Sequence, residues 1–308
     1  MPCGARRPSG ILECMCLVLI GWRVHPEYRL IVAANRDEFY SRPTESMRWW
    51  SEVPGLLAGR DLGALRKVAG DPPGTWLGLT REDKGRNRFA TVTNVRNPKD
   101  ERGDARSRGA LLMDFLRGIG DRRELLGPEQ YVLDVAAAPD DYNGYNMLIS
   151  DLESLWWHSN RSARPPQELA PGFHGVSNGM FITSAAPGLG AAFEAPQSIW
   201  PKVRGGLTDL RTVVESDPGN VARYFEVLAD RTEAPDELLP HTGVPLRRER
   251  ALSARFIANA LHGTRASTVL LVREDGSFEM AERSFGRFGR HRGEEIFSGS
   301  LDLREHQA

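Results

Sequence analysis

Beyond residue 16 the chain holds no cysteine: its three thiols are Cys3, Cys14 and Cys16, in 308 residues. Thiols crowded at one end cannot staple a body of this size. Disulfides are therefore excluded as its stabilising device, and a reducing, cytoplasmic setting is expected. Lysine is scarce as well, occurring only at Lys67, Lys84, Lys99 and Lys202 among 40 basic residues. That skew reads as coding bias rather than as an arginine-rich binding face. Neither sign of charge is in excess, with 40 basic against 41 acidic side chains, which argues against a nucleic-acid partner. Apolar runs stay short of the ~18–20 residues that span a bilayer, so no transmembrane segment is expected. Arg6 and Arg7 precede an apolar stretch in the manner of a signal peptide. However, Glu13 interrupts that stretch, and Arg23, His25 and Glu27 follow it without a small-residue cleavage site.

Cofactor signatures are missing too. Gly55-Leu-Leu-Ala-Gly59 fits no phosphate-binding fingerprint, and neither GxGxxG nor GxxxxGK[ST] occurs. The seven histidines and the clustered cysteines lack the spacing of a zinc cage, so no metal or nucleotide cofactor is expected. His158 and His174 read as surface or turn residues, and the pairs Trp49-Trp50 and Trp156-Trp157 as core or groove wall.

What is present is a series of short apolar runs. Residues 1–14 carry no periodicity and read as a disordered leader or a mis-set start, with a single domain expected over 15–308. Cys16–Trp22 and Tyr28–Ala34 read as a hairpin of buried strands, and Thr75–Thr80 with Arg88–Val95 as a second strand pair. Helical signals cover Ser107–Leu116, with Ser107 as N-cap, then Glu129–Ala137, Leu207–Ser216 and Val221–Ala229. Strand signals return at Asn146–Ser150 and Ser154–His158, and a final hairpin joins Ser267–Arg273 to Ser277–Glu282 across Glu-Asp-Gly. Consecutive hairpins without βαβ alternation favour antiparallel sheets with helices outside, an α+β layered fold.

Three groups of residues could carry chemistry. Cys16 would become nucleophilic if it were the first residue of a mature chain, because its own α-amine, with a pKa of ~7.7–8.0, could take the thiol proton. Otherwise it is a small buried hydrophobe at a strand start. Asn35-Arg36-Asp37-Glu38 closes the second strand, where a hairpin brings Arg36 and Asp37 back beside Cys16. Arg36 could hold a thiolate or a substrate carboxylate, and Asp37 an α-ammonium. The bland alternative is a solvated turn with a local ion pair. Asn94 and Asn178 stand at strand ends and could donate to an oxyanion, or simply occupy turns.

Together these stretches resemble the NRDE family, named for the tetrapeptide that stands here as Asn35–Glu38, whose eukaryotic members are the transport and Golgi organisation proteins. The likeness runs from Met15 over nearly the whole chain, through MCLVLIGW, LIVAANRDEFYSRPT, LLAGRD, GTWLGLT, RFATVTNVRNP, SRGALLMDFL, YNGYNMLISD, GVSNG, WPKV and GTRASTVLLV. The family is in turn similar to the cysteine N-terminal-nucleophile hydrolases, among them bile-salt hydrolases and penicillin V acylases. These begin Met-Cys, like Met15-Cys16. They carry an arginine and an aspartate at the end of the second strand, two downstream asparagines like Asn94 and Asn178, and a late arginine matched by Arg265.

That resemblance implies a four-layer αββα sandwich and an amidohydrolase or acyltransferase acting on non-peptide C–N bonds of a small acylated substrate. Cys16 would attack, Asp37 would orient its amine and Arg36 would position the thiolate or substrate. Asn94 and Asn178 would stabilise the oxyanion, with Arg265 completing the charge arrangement. The NRDE family is also linked to haem and to lipid or acyl-CoA handling. This implies the alternative of a non-catalytic carrier that holds haem or an acyl-lipid in the same cleft, with Cys16 or a nearby histidine as contact. Three features depart from the hydrolases. The fourteen residues before Met15 would block a free α-amine at Cys16 unless removed or never made. The segment LGALRKVAGDPP is enlarged and expected to form a flap, and Glu38 has no counterpart that they require.

Overall fold

The first apolar runs pair as expected. Cys16–His25 (β1) and Tyr28–Phe39 (β2) form an antiparallel hairpin, and both are buried on two faces. Leu17 and Leu19 point into a core on one side of the hairpin, whereas Val18 and Ile20 point into a core on the other. The computed structural model of the chain describes residues 16–63, 73–82, 86–96, 101–118, 125–179, 181–185, 200–240 and 242–303. The expected leader and residues 64–72 of the expected flap lie outside the described residues.

The remaining strands are Thr44–Trp49 (β3), Leu56–Asp61 (β4), Leu77–Thr80 (β5), Arg88–Asn94 (β6), Tyr145–Ser150 (β7), Leu155–Ser159 (β8), Gln167–Glu168 (β9), Gly172–Val176 (β10), Phe181–Ala185 (β11), His262–Arg273 (β12), Ser277–Gly286 (β13) and Arg290–Ser300 (β14). They build two wholly antiparallel seven-stranded sheets. The first runs β11-β10-β1-β2-β12-β13-β14 and the second β3-β4-β5-β6-β7-β8-β9. The fold is thus mixed α+β.

The helices are Arg108–Arg117 (α1), Pro128–Ala136 (α2), Pro201–Ser216 (α3), Val221–Leu228 (α4) and Leu246–Ala251 (α5). Ser107 caps α1 as its sequence promises, its hydroxyl accepting from the Gly109 amide at 3.2 Å. Helices α1 and α2 cover the second sheet through Leu111, Phe115 and Val132, while α3 and α4 cover the first through Val203, Leu207 and Phe225. Between the sheets lies a third core containing Val18, Val32, Leu79, Phe89 and Trp157. Burying each such aliphatic or aromatic side chain contributes ~1.5–3 kcal/mol, which is why a strand with cores on both faces can be apolar throughout. Among the described residues no helix is long and apolar enough to cross a membrane.

Two readings fall. The alternative of a solvated turn does not hold for Asn35–Glu38. They lie inside β2 and are buried, because β2 continues between β1 and β12. His158 and His174 are not surface residues but buried ones. His174 spends both ring nitrogens internally, on the Thr183 hydroxyl (2.8 Å) and the Ala170 carbonyl (3.0 Å). Burial pushes both imidazoles down to about 4.

Candidate active site

Cys16 is the first residue of β1, buried on the inter-sheet side. Its amide donates to Asn178 Oδ1 at 3.0 Å, and its carbonyl accepts from the Ser177 hydroxyl at 2.7 Å. Ser177 and Asn178 reach it because β10 runs antiparallel beside β1, with Val18 opposite Val176. Asn178 Nδ2 donates to the Asn94 carbonyl at 2.9 Å, which ties the first sheet to the end of β6 in the second. The Thr93 hydroxyl (2.8 Å to the Ser177 carbonyl) and the Arg96 amide (2.8 Å to the Asn178 carbonyl) hold the same loop. A backbone N–H on one side and a carbonyl on the other fix which end of the Asn178 amide is which. Asn178 therefore holds the Cys16 nitrogen. Asn94 contributes its carbonyl, and its own side-chain amide takes no partner among the described residues.

Alternation along β2 divides the NRDE side chains between the faces. Arg36 pairs across the sheet with Cys16 and shares its inter-sheet face. Its guanidinium meets Asp61 at 3.2 Å and Glu38 at 3.4 Å, and Arg42 binds both of those carboxylates, at 2.9 and 3.4 Å. This gives Glu38 a structural role: it helps hold Arg36 and Arg42. Asn35 and Asp37 face the helices. Asn35 donates to the carbonyls of Leu228 (2.9 Å) and Arg255 (2.7 Å). Asp37 Oδ1 accepts from the Thr264 hydroxyl at 2.6 Å, which itself accepts from the Ile257 amide at 2.9 Å. Asp37 Oδ2 is buried and takes no hydrogen bond among the described residues.

Electrostatics at the site are set by burial. Burial raises Asp37 to about 7, opposed first by the charge of Lys202 and then by Thr264 and Arg36. Lys202 lies in the first turn of α3, fully enclosed, donating to the Leu252 carbonyl at 3.3 Å. Burial lowers it to about 8, and Asp37 is the main opposing influence. The Cys16 thiol is pushed up to about 12, by burial first and then by Asp37, while Arg36 and the Asp37 backbone amide pull the other way. A thiol in this setting is protonated at neutral pH and needs a base before it can attack.

Cys16, Arg36, Asp37, Asn94 and Asn178 thus converge around the start of β1. Arg265 stands further along the rung, beyond Arg36. It donates to the carbonyls of Phe39 (2.7 Å) and Arg42 (3.1 Å) and to Thr44 Oγ1 (2.7 Å), and it faces a cleft of about 210 Å³ that Arg36 also lines. Sequence reasoning passed over Lys202, Thr264 and Ser177. Scarcity of lysine is the only hint at Lys202, one of four lysines in the sequence, and it does not single Lys202 out from the other three. His262 also went unmarked. It is buried against Phe39 with neither ring nitrogen bonded among the described residues, and burial lowers it to about 4.

Fold and site define an α+β protein of two antiparallel sheets with a thiol, an arginine, a carboxylate and a lysine gathered at the start of a central strand. The chain belongs to the transport and Golgi organisation 2 family, whose profile matches residues 15–287. It is 32% identical over 291 residues to the transport and Golgi organization protein 2 homolog of Bos taurus, covering 88% of this chain and 93% of that one. It is 30% identical over 290 residues to the Homo sapiens homolog, with the same coverage. The Drosophila melanogaster transport and Golgi organization protein 2 is 24% identical over 282 residues, covering 88% and 92%.

Proposed function

We propose that the chain is a cysteine N-terminal-nucleophile amidohydrolase or acyltransferase, opening a non-peptide C–N bond of a small acylated substrate. The observation that carries this reading is the clamp on Cys16: its nitrogen held by Asn178 at 3.0 Å, with Arg36 directly opposite on β2. The succession of helices, sheet, sheet and helices supports it as the layering of that hydrolase class. Cleavage before Cys16 would turn the held amide into an α-amine, and Asp37 Oδ2 is the open acceptor for its ammonium form. The amine takes the thiol proton as sulfur bonds to the carbonyl carbon, then delivers it to the departing nitrogen as the C–N bond breaks. Water or an acceptor nucleophile then releases the acyl group from sulfur. With Asn178 committed to the Cys16 nitrogen, the Asn94 amide is the oxyanion donor of this scheme.

Intact-mass measurement on the mature protein, with and without a panel of N-acyl substrates, tests the scheme. The expected results are a chain beginning at Cys16, an acyl adduct on that residue, and a loss of turnover on the order of 10³-fold or more in Cys16→Ser. A mature chain that retains residue 15, or undiminished turnover in the serine variant, overturns it. One observation favours a second reading, the family's non-catalytic haem or acyl-lipid carrier: His262 is buried with neither ring nitrogen hydrogen-bonded among the described residues, a neutral imidazole open to a ligand. Under that reading, titrated haem shifts its Soret band in wild type and not in Cys16→Ala or His262→Ala, and no acyl adduct forms.

A further inference from the structure

Arg265 and Arg292 share a structural device. In β12, Thr264 pairs with Asp37 and Ala266 with Arg36, so Arg265 is one residue too many for its partner strand. In β14, His291 pairs with Phe285 and Gly293 with Ser284, so Arg292 is likewise extra. The two bulges flank β13 at one level, because Ala266 and Gly293 are both partners of Ser284. Bulges re-aim side chains, and here both arginines are turned into the same cleft, between β12–β14 and the facing β3–β4 edge. The floor of that cleft continues the rung of the thiol. Cys16, Arg36, Ala266, Ser284 and Gly293 stand in cross-strand register, and the last four line the cleft. Four strand spacings of ~4.8 Å put its far end roughly 19 Å from Cys16, along a trough whose outer floor is made of small residues.

The charges in this trough are unevenly spent. Arg36 is engaged by Asp61 and Glu38, and Arg60 by Glu45 and Glu52. Arg265 donates to two carbonyls and a hydroxyl. Among the described residues no carboxylate forms an ion pair with Arg265 or with Arg292. The remaining acids lie one rung away: Glu282 and Glu295 pair with each other across β13 and β14, and Glu282 is held by the Met47 amide and the Thr268 hydroxyl. Burial holds Arg265 below the usual arginine range; repulsion from Arg36 and Arg292 adds to it, and the charge of Glu38 opposes it only in part. Two guanidinium groups that face one concave floor, with no carboxylate at ion-pair distance among the described residues, favour an external oxyanion, whose geometry their forks match.

We propose that this trough is a distal substrate subsite in which Arg265 and Arg292 bind an anionic group, a carboxylate or a phosphate, at the end of the substrate away from the bond opened at Cys16. The assignment rests on Cys16 being the reacting residue, but anion binding is measurable without turnover. Full-length protein is titrated with adipate, with inorganic phosphate and with the neutral isostere adipamide, and followed by calorimetry and by the fluorescence of Trp76, which lines the cleft. Adipate or phosphate binds and adipamide does not. Binding of adipate alone assigns a carboxylate, of phosphate alone a phosphoryl group, and of both the shared oxyanion chemistry. Arg292→Gln weakens the anion by about tenfold or more. Arg265→Gln weakens it further but also releases the Phe39 and Arg42 carbonyls, so Arg292→Gln, at an exposed edge, separates loss of the anion from loss of fold. Equal binding of adipamide, or unchanged affinity in Arg292→Gln, overturns the subsite. Anion binding without an acyl adduct at Cys16 leaves the subsite standing and removes the hydrolase. An acyl adduct formed equally fast from neutral and anionic acyl amides does the reverse.

Discussion

Lys202 does something at its position that arginine could not. An arginine enclosed there would stay charged at any accessible pH, whereas a lysine can shed its proton when burial demands it. Burial acts on both members of the Lys202–Asp37 pair, taking the lysine down to about 8 and the carboxyl up to about 7, and each is the other's main electrostatic support. Removing one charge should leave the other stranded. Lys202→Met is expected to cost about 3 kcal/mol, Asp37→Asn a similar amount, and the double variant much less than the sum. Urea denaturation of the four proteins measures this as a double-mutant cycle. Simple additivity would mean that the two groups do not share a field. The pair also sets what Cys16 experiences, since the charge of Asp37 is the largest influence on the thiol after burial.

Among elements, those with one periodicity were legible and those shaped by their neighbours were not. The β1–β2 hairpin, the β12–β13 hairpin and α1 follow from apolar runs and turn or cap chemistry. The end of β2 does not, because Asn35–Glu38 are polar by composition and are buried only through pairing on both sides. Strand β14 is exposed and polar along most of its length and exists by pairing with β13. Helix α3 begins at Pro201, earlier than its apolar periodicity indicates, because Gly205-Gly206 masks the pattern. Gly206 is there for contact: a Cβ would come within 2.8 Å of Leu19 Cδ1. The site divides the same way. Cys16, Arg36 and Asp37 are visible as the two ends of one hairpin, Asn178 as a strand-end asparagine that the family resemblance reinforces, and the place of Lys202 not at all, because it depends on how α3 docks. Docking predicts its own failure point. A Cβ on Gly175 would meet Val203 Cγ1 at 2.6 Å and Leu207 Cγ at 3.1 Å. Gly175→Ala should therefore displace α3, lower stability by about 1–3 kcal/mol, and be relieved in part by adding Val203→Ala. Thermal denaturation of the two variants checks this, and absence of relief would place the strain elsewhere.

At the scale of the whole molecule the two sheets are joined mainly by apolar packing, with a few polar ties crossing between them. Asn178 to Asn94 is one and Arg36 to Asp61 another. A further one is Glu282 on β13, which accepts from the Met47 amide of β3 at 2.8 Å. Burial raises Glu282 from 4.5 to about 7, with the Met47 amide, the Thr268 hydroxyl and Arg36 only partly offsetting it. The sign of its effect follows from proton counting. Between pH 4.5 and about 7 the folded protein binds a proton here that the unfolded chain has released, so stability falls as pH rises through that window. At 1.36 kcal/mol per pKa unit the whole effect is on the order of 3 kcal/mol. Glutamine imitates the protonated acid and does not titrate. Glu282→Gln should therefore be close to wild type near pH 5 and gain on it steadily up to pH 7.5. The histidines lowered to about 4, His158, His174 and His262, act in the opposite direction and cost stability as pH falls below 6.5. They are common to both proteins and cancel in the comparison. Urea midpoints at half-unit pH steps give the difference directly. A gap between variant and wild type that stays constant from pH 5 to 7.5 would show that Glu282 is already ionised in the folded protein, and that the tie between the sheets carries a charge.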